Sequence, residues 1–217
     1  MKYKVIKIDL KSKWYPEKLK NISSSPKEIY CLGNLELLNT KSIAIIGSRD
    51  YSNYGERAAK EFSYSLAKEN ICVVSGMAKG IDSFAHIAAL EAKGKTIAVL
   101  GSGLDIIYPR ENKKLYENII KNDGLIISEY PLGTPPRRQN FPARNRIISG
   151  LSDGVLVIEA RKNSGTNITV DFALDQGKDV FVIPGNIYSK TSDGTNFLIK
   201  EGAIPVTDYR DIINSID

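Results

Sequence analysis

The chain reads as an α/β protein: a doubly wound, mostly parallel sheet with helices on both faces and a short N-terminal extension. Three observations carry that expectation. Six short aliphatic runs recur from Ser42 onward, each bounded by Gly, Ser or Pro. Stretches with apolar residues at helical spacing lie between them. Glycine turns with polar or basic residues follow the runs, as connections from strand to helix do. Strands alternating with helices form right-handed βαβ units, so the strands point one way. The loops after them gather on one edge, where ligands of such sheets sit.

Residues 1–40 read differently from the rest and are expected to form an extension packed on a main domain at 41–217. Trp14-Tyr15-Pro16 opens a short helix-like stretch, Pro26 breaks it, and Ile29-Tyr30-Cys31-Leu32 is a brief apolar run ended by Gly33-Asn34. Strands are predicted at 42–47, 71–75, 96–101, 124–129, 154–159 and 179–183. Over 54–68, Tyr54, Ala58, Phe62 and Leu66 recur every four residues and make one apolar face. Over 80–93, Ile81, Ala85, Ala88, Ala89 and Ala92 do the same with small side chains, so that helix can pack closely. Asp82 falls in its first turn, where a carboxylate complements the helix dipole.

The 217 residues, 42% hydrophobic, suffice to bury one large core. A net charge of +5 leans toward an anionic partner, although solvated lysines give the same sum. Cys31 and Cys72 make neither a disulfide framework nor a metal cluster. The single histidine, His86, excludes a zinc site built mainly on histidines and reads as structural on its small-residue helix. No apolar run approaches the roughly 20 residues of a membrane helix. The N-terminus lacks a signal peptide's apolar region, so a cytoplasmic protein without membrane contact is expected.

Gly47-Ser48-Arg49 directly follows Ile43–Ile46. Ser75–Gly80, with Lys79, repeats the theme, as do Gly101-Ser102-Gly103, Gly185-Asn186 and a longer version at Glu159–Thr166. Bare glycine amides and helix N-termini favour anions, and arginine suits bidentate phosphate contacts. The plain alternative is a set of ordinary turns with solvated cations. Ala89–Thr96 (ALEAKGKT) is one residue short of a phosphate loop and runs from helix into strand, the wrong order. Gly101-Ser102-Gly103 lacks the third glycine of a dinucleotide fingerprint, so no nucleotide cofactor is expected.

Phe141-Pro142-Ala143-Arg144-Asn145-Arg146 follows a basic loop, Pro135-Pro136-Arg137-Arg138. The aromatic ring can stack a base while the cations track a backbone. Alternatively Phe141 is core, and the arginines pair with Glu129 or Glu159. Tyr108-Pro109-Arg110 adds one more cation. Glu159 beside Asn163–Thr166 either serves nucleoside hydrolysis or orients Arg144 or Arg146.

These segments resemble the DprA/Smf family of DNA-processing proteins. The resemblance rests on GSRDYSNYG (47–55), SGMAKGIDSFAH (75–86), LGSGLDIIYPR (100–110), ISEYPLGTPP (127–136), FPARNRIISGLS (141–152), VLVIEA (155–160), PGN (184–186) and GTNFLIKEGA (194–203), in order. WYPEKL (14–19) and the stretch from Pro26 to Asn34 add to it. The chain departs at Thr166 and Asn167, where the family usually has Ser and Leu. The N-terminal helical domain of many members is expected to be absent or reduced here, and a C-terminal winged-helix-like domain to lie outside the 217 residues.

The resemblance implies an extended Rossmann-like domain that binds single-stranded DNA, shields it during natural transformation, helps load the RecA recombinase and forms a homodimer. It implies DNA contacts at Gly47, Ser48, Arg49, Lys79, Arg110, Arg138, Phe141 and Asn145. Arg144 and Arg146 match the motif as DNA-binding or internal residues. No catalytic residue, cofactor or metal is expected. The alternative is a nucleotide phosphoribohydrolase of the lysine-decarboxylase-like (LOG) type, for which Ser164-Gly165-Thr166 is present without its two preceding glycines. A protein-docking module without DNA is a third reading.

Overall fold

The computed structural model describes residues 4–216. In chain order the strands and α-helices are β1 (Ile6–Asp9), α1 (Glu17–Lys20), β2 (Glu28–Gly33), β3 (Ser42–Ile46), α2 (Asn53–Lys68), β4 (Cys72–Ser75), α3 (Ile81–Glu91), β5 (Thr96–Leu100), α4 (Lys113–Lys121), β6 (Leu125–Ser128), α5 (Asn140–Leu151), β7 (Gly154–Val157), α6 (Gly165–Asp175), β8 (Asp179–Val182), α7 (Asp193–Lys200), β9 (Ile204–Pro205) and α8 (Tyr209–Ile216). The strands form one sheet in the order β1-β2-β6-β5-β4-β3-β7-β8-β9. From β6 to β9 every pairing is parallel. The six predicted strands are β3 to β8, each shorter by one or two residues because its ends turn into the loops.

The central strands are buried on both faces, which is why they read as continuous aliphatic runs. Within β3 the period-two alternation divides the layers. Ile43 and Ile45 pack with Ala58, Phe62 and Leu66 of α2 and Ile81, Ala85 and Ala89 of α3. Ala44 and Ile46 face the other side, toward Ile147, Ile148 and Leu151 of α5 and Val170 and Ala173 of α6. Leu115, Tyr116 and Ile119 of α4 cover Ala98, Leu100 and Ile126. Helices therefore cover both faces, as a doubly wound fold requires.

Both sheet edges go beyond the six predicted strands. β2 pairs antiparallel with β6, and β1 antiparallel with β2. Ile29 and Cys31 of β2 join the core beneath α5. At the other edge β9 adds two residues beside β8. Tyr15 supports the N-terminal segment by donating its hydroxyl to Pro26 O at 2.5 Å.

His86 is fully buried. Its Nδ1 lies 2.7 Å from Thr96 Oγ1, and that hydroxyl donates to Val73 O at 2.6 Å. The threonine proton is thus committed, so His86 Nδ1 is the donor. Burial pulls the imidazole down to about 3, which keeps it neutral. It ties α3 to β4 and β5. Cys31 and Cys72 are buried, and burial pushes both thiols up to about 12, far from a reactive thiolate.

Candidate functional site

The chain runs outward from β3 through β4 and β5 to β6, then returns to place β7 on the other side of β3. The winding direction reverses there, and the loops after β3 and β7 splay apart. A cavity of about 790 Å³ lies at this switch point. Residues 46–50 after β3 form one wall, α5 a second, and the start of α6 a third.

Glu159, 1% exposed, holds the first wall in place. Its Oε2 accepts Ser52 N at 2.9 Å, and its Oε1 accepts Ser52 Oγ at 2.6 Å and Thr191 Oγ1 at 2.9 Å. Its backbone oxygen accepts Ser48 N at 2.9 Å. Ser52 in turn caps α2 by accepting Gly55 N at 3.1 Å. The Glu159 carboxylate, the hydrolase reading's candidate group, is thereby engaged by three donors from the protein. The clamped loop carries Arg49 outward. Arg49 is exposed and has no hydrogen bond or carboxylate partner among the described residues. The Ser48 hydroxyl is occupied locally, donating to Asp50 O at 2.6 Å.

The second loop, 76–80, is held from beneath by buried charges. Asp82 Oδ2 accepts Gly76 N at 3.1 Å and Ala78 N at 3.3 Å. Arg144 donates from Nη1 to Gly76 O at 2.8 Å and also to Val99 O. A Cβ on Gly76 would lie 2.7 Å from Arg144 Nη2 and 2.8 Å from Asp82 Oδ2, so only glycine fits between these groups. Gly80 has φ +80°, and a Cβ there would lie 2.6 Å from Ser48 O. The Arg49 and Lys79 loops can approach each other for that reason. Burial pulls Arg144 down to about 10, with Asp82 opposing the shift. Burial pushes Asp82 up, with Arg144 opposing.

The aromatic part comes from α5 and the loop after β5. Phe141 packs on bare Gly101, where a Cβ would meet its ring at 3.0 Å. Its ring lies 5.4 Å from that of Tyr108, tilted by 44°, and the Arg144 guanidinium sits 5.9 Å from its centroid. A smaller recess joins Arg49, Lys79, Tyr108, Phe141 and Arg144. Tyr108 was legible in sequence only as a neighbour of Arg110; its pairing with Phe141 depends on the β5 and α5 loops meeting.

Of the candidate residues, Gly47, Ser48, Arg49, Arg138, Phe141, Arg144 and Asn145 line the large cavity, and Lys79 lines the adjoining recess. Arg144 is 4% exposed and supports the walls from within. Arg146 turns away: it forms a two-pronged pair with Glu129, 2.7 Å and 2.6 Å, and donates to Ser24 O at 2.8 Å. Arg110 is exposed beyond Pro109 and lines neither space.

Lys79 Nζ meets Glu111 Oε1 at 2.5 Å, with both side chains more than half exposed. Surface pairs of this kind are weak, so an arriving phosphate can take the lysine. Glu111→Gln is expected to tighten binding of a polyanion by about two- to fivefold at low salt, read by fluorescence anisotropy. Unchanged or weaker binding counts against Lys79 as a contact.

Among the described residues no group of His, Cys, Asp and Glu is placed to hold a metal ion. No helix of these residues is long and apolar enough to cross a membrane.

The family described as DNA recombination-mediator protein A matches residues 7–217. Protein Smf of Escherichia coli K12 is 44% identical over 205 residues, covering 94% of this chain and 55% of the relative. The chain spans between 50% and 70% of the length of the curated relatives it matches. The crystal structure of DNA processing protein A from Streptococcus pneumoniae superposes with a TM-score of 0.93 at 44% identity, over 99% of this chain and 75% of that one. The structure of DNA processing protein A from Helicobacter pylori, described by its single-stranded DNA binding mode, gives 0.88 at 33% identity, over 100% and 96%. The molybdenum cofactor binding protein of Rippkaea orientalis, at 18% identity, TM-score 0.57 and coverage of 82% and 96%, shares the fold alone.

Proposed function

The chain belongs to the DNA recombination-mediator protein A family, and from that premise we propose that its switch-point crevice binds single-stranded DNA without acting on it chemically. One observation carries the reading: Arg49, which makes no hydrogen bond or ion pair among the described residues, lines a recess together with Tyr108 and Phe141. A cation beside an aromatic pair suits one phosphate and one unstacked base, and base stacking tolerates any sequence. Gly47, Lys79, Arg138 and Asn145 are the further contacts, while Ser48, whose amide and hydroxyl are both engaged within the protein, shapes the loop. Arg144 holds the loops, Arg146 is engaged by Glu129, and Arg110 lies outside both spaces.

The wider role we propose is protection of incoming DNA in natural transformation and delivery to the RecA recombinase, in the cytoplasm, as a homodimer; the family membership supports it. The Glu159 contacts weigh against the hydrolase reading, because a carboxylate engaged by three protein donors is not poised to meet a substrate.

Competition between labelled oligo-dT and unlabelled duplex tests the binding reading. Oligo-dT is expected to bind with sub-micromolar affinity and to resist displacement by an equal concentration of duplex. Equal displacement by duplex contradicts a role for the aromatic recess.

A further inference from the structure

We propose that the crevice holds a second phosphate at the N-terminus of α6, on the wall opposite the Tyr108–Phe141 recess. This deepens, and rests on, the reading of the crevice as a DNA site. The eleven-residue helix α6 opens at Gly165 with no side-chain cap on its amides. Gly165 N and Thr166 N meet no acceptor among the described residues, while Asn167 N turns back to Ser164 O at 3.1 Å. Free amides at a helix start concentrate partial positive charge.

An independent observation points to a ligand. Thr169 is 3% exposed, lines the cavity one turn into the helix, and its hydroxyl has no hydrogen-bond partner among the described residues. Buried hydroxyls are normally paired. The Ser164 Oγ atom, just before the helix, is enclosed by protein and has no partner either. Two free amides and the Thr169 hydroxyl at one cavity wall match the oxygen-rich surface of a phosphate group. Nothing lies within 4 Å of a Cβ built on Gly165, so an anion can approach the backbone closely. The phosphate is either a diester of the bound strand or a free phosphate.

Proline at Gly165 removes one donor with little cost to the helix. Proline is favoured at the first helical position, and Ser164, at φ −116° and ψ 160°, already has the extended backbone that a following proline requires. Gly165→Pro and Thr169→Val are each expected to weaken oligo-dT binding about three- to tenfold, with thermal unfolding within a few degrees of wild type. In amide NMR spectra of the wild-type chain, Gly165 and Thr166 are expected to shift on addition of oligo-dT and, separately, of inorganic phosphate. Unmoved amides with both ligands, together with wild-type oligo-dT binding by both variants, overturn the proposal. Shifts with inorganic phosphate alone, with DNA binding unaffected in both variants, overturn the strand assignment and leave a free-phosphate site. If the wild-type chain binds no oligo-dT but phosphate moves these amides, the DNA reading falls while the anion site stands. Thr169→Val decides the matter should Gly165→Pro fail to fold.

Discussion

Replacing Arg144 with alanine is expected to cost about 3–5 kcal/mol of folding stability, the range found when one partner of a buried charge pair is removed. Arg144 donates to Gly76 O and Val99 O, and it faces buried Asp82 across Gly76. Its value of about 10 leaves it charged at neutral pH. The alanine variant strands two buried carbonyls and takes from buried Asp82 its strongest opposing charge, each expensive in a low-dielectric interior. Urea unfolding of wild type and variant measures the loss. Adding Asp82→Asn to the variant is expected to recover part of it, because the unpaired charge is then gone. A loss below about 1 kcal/mol would show that Arg144 is solvated, an outcome its burial does not allow.

Arg49→Ala is expected to weaken oligo-dT binding by roughly tenfold or more. A hydrogen bond to a charged group contributes about 1.5–3 kcal/mol, and 1.4 kcal/mol corresponds to one factor of ten. Arg49 is exposed and makes no hydrogen bond or ion pair among the described residues, so the stability of the variant should stay within about 0.5 kcal/mol of wild type. The two arginines thus separate by readout. Arg49 affects binding with little effect on folding, whereas Arg144 affects folding first and binding through the shape of the loops.

Much of the sheet was legible because burial on both faces leaves an unbroken aliphatic signature. The edges lack that signature. In β1 only Ile8 is buried, between Lys7 and Asp9, so its sequence resembles a polar loop. β2 was readable as an apolar run, but its antiparallel pairing with β6 joins residues almost a hundred positions apart, and no local pattern encodes that. β9 is two residues long, one of them proline.

The site shows the same division. Arg49 and Lys79 stood out because glycine-rich turns after strands must lie on the ligand-binding edge. Arg144 and Arg146 were indistinguishable in sequence, although on a helix two residues apart means about 200° of rotation. One side chain therefore enters the core beneath the Gly76 loop, and the other meets Glu129 on the far side. Glu111 gave no sign of its pairing with Lys79, because the two come from different βα loops. Thr169 had no distinguishing signal either. Its meaning lies in a missing partner, which only the packed structure reveals.

The most direct test of DNA binding in the crevice is a pair of salt titrations of oligo-dT affinity, one with the wild-type chain and one with Arg49→Ala. Each phosphate contact on a single strand contributes about 0.7 to the slope of log affinity against log salt. If Arg49 holds a phosphate, the variant's line lies lower and is shallower by about that amount. Coincident lines, equal in slope and in affinity, would contradict the proposed site.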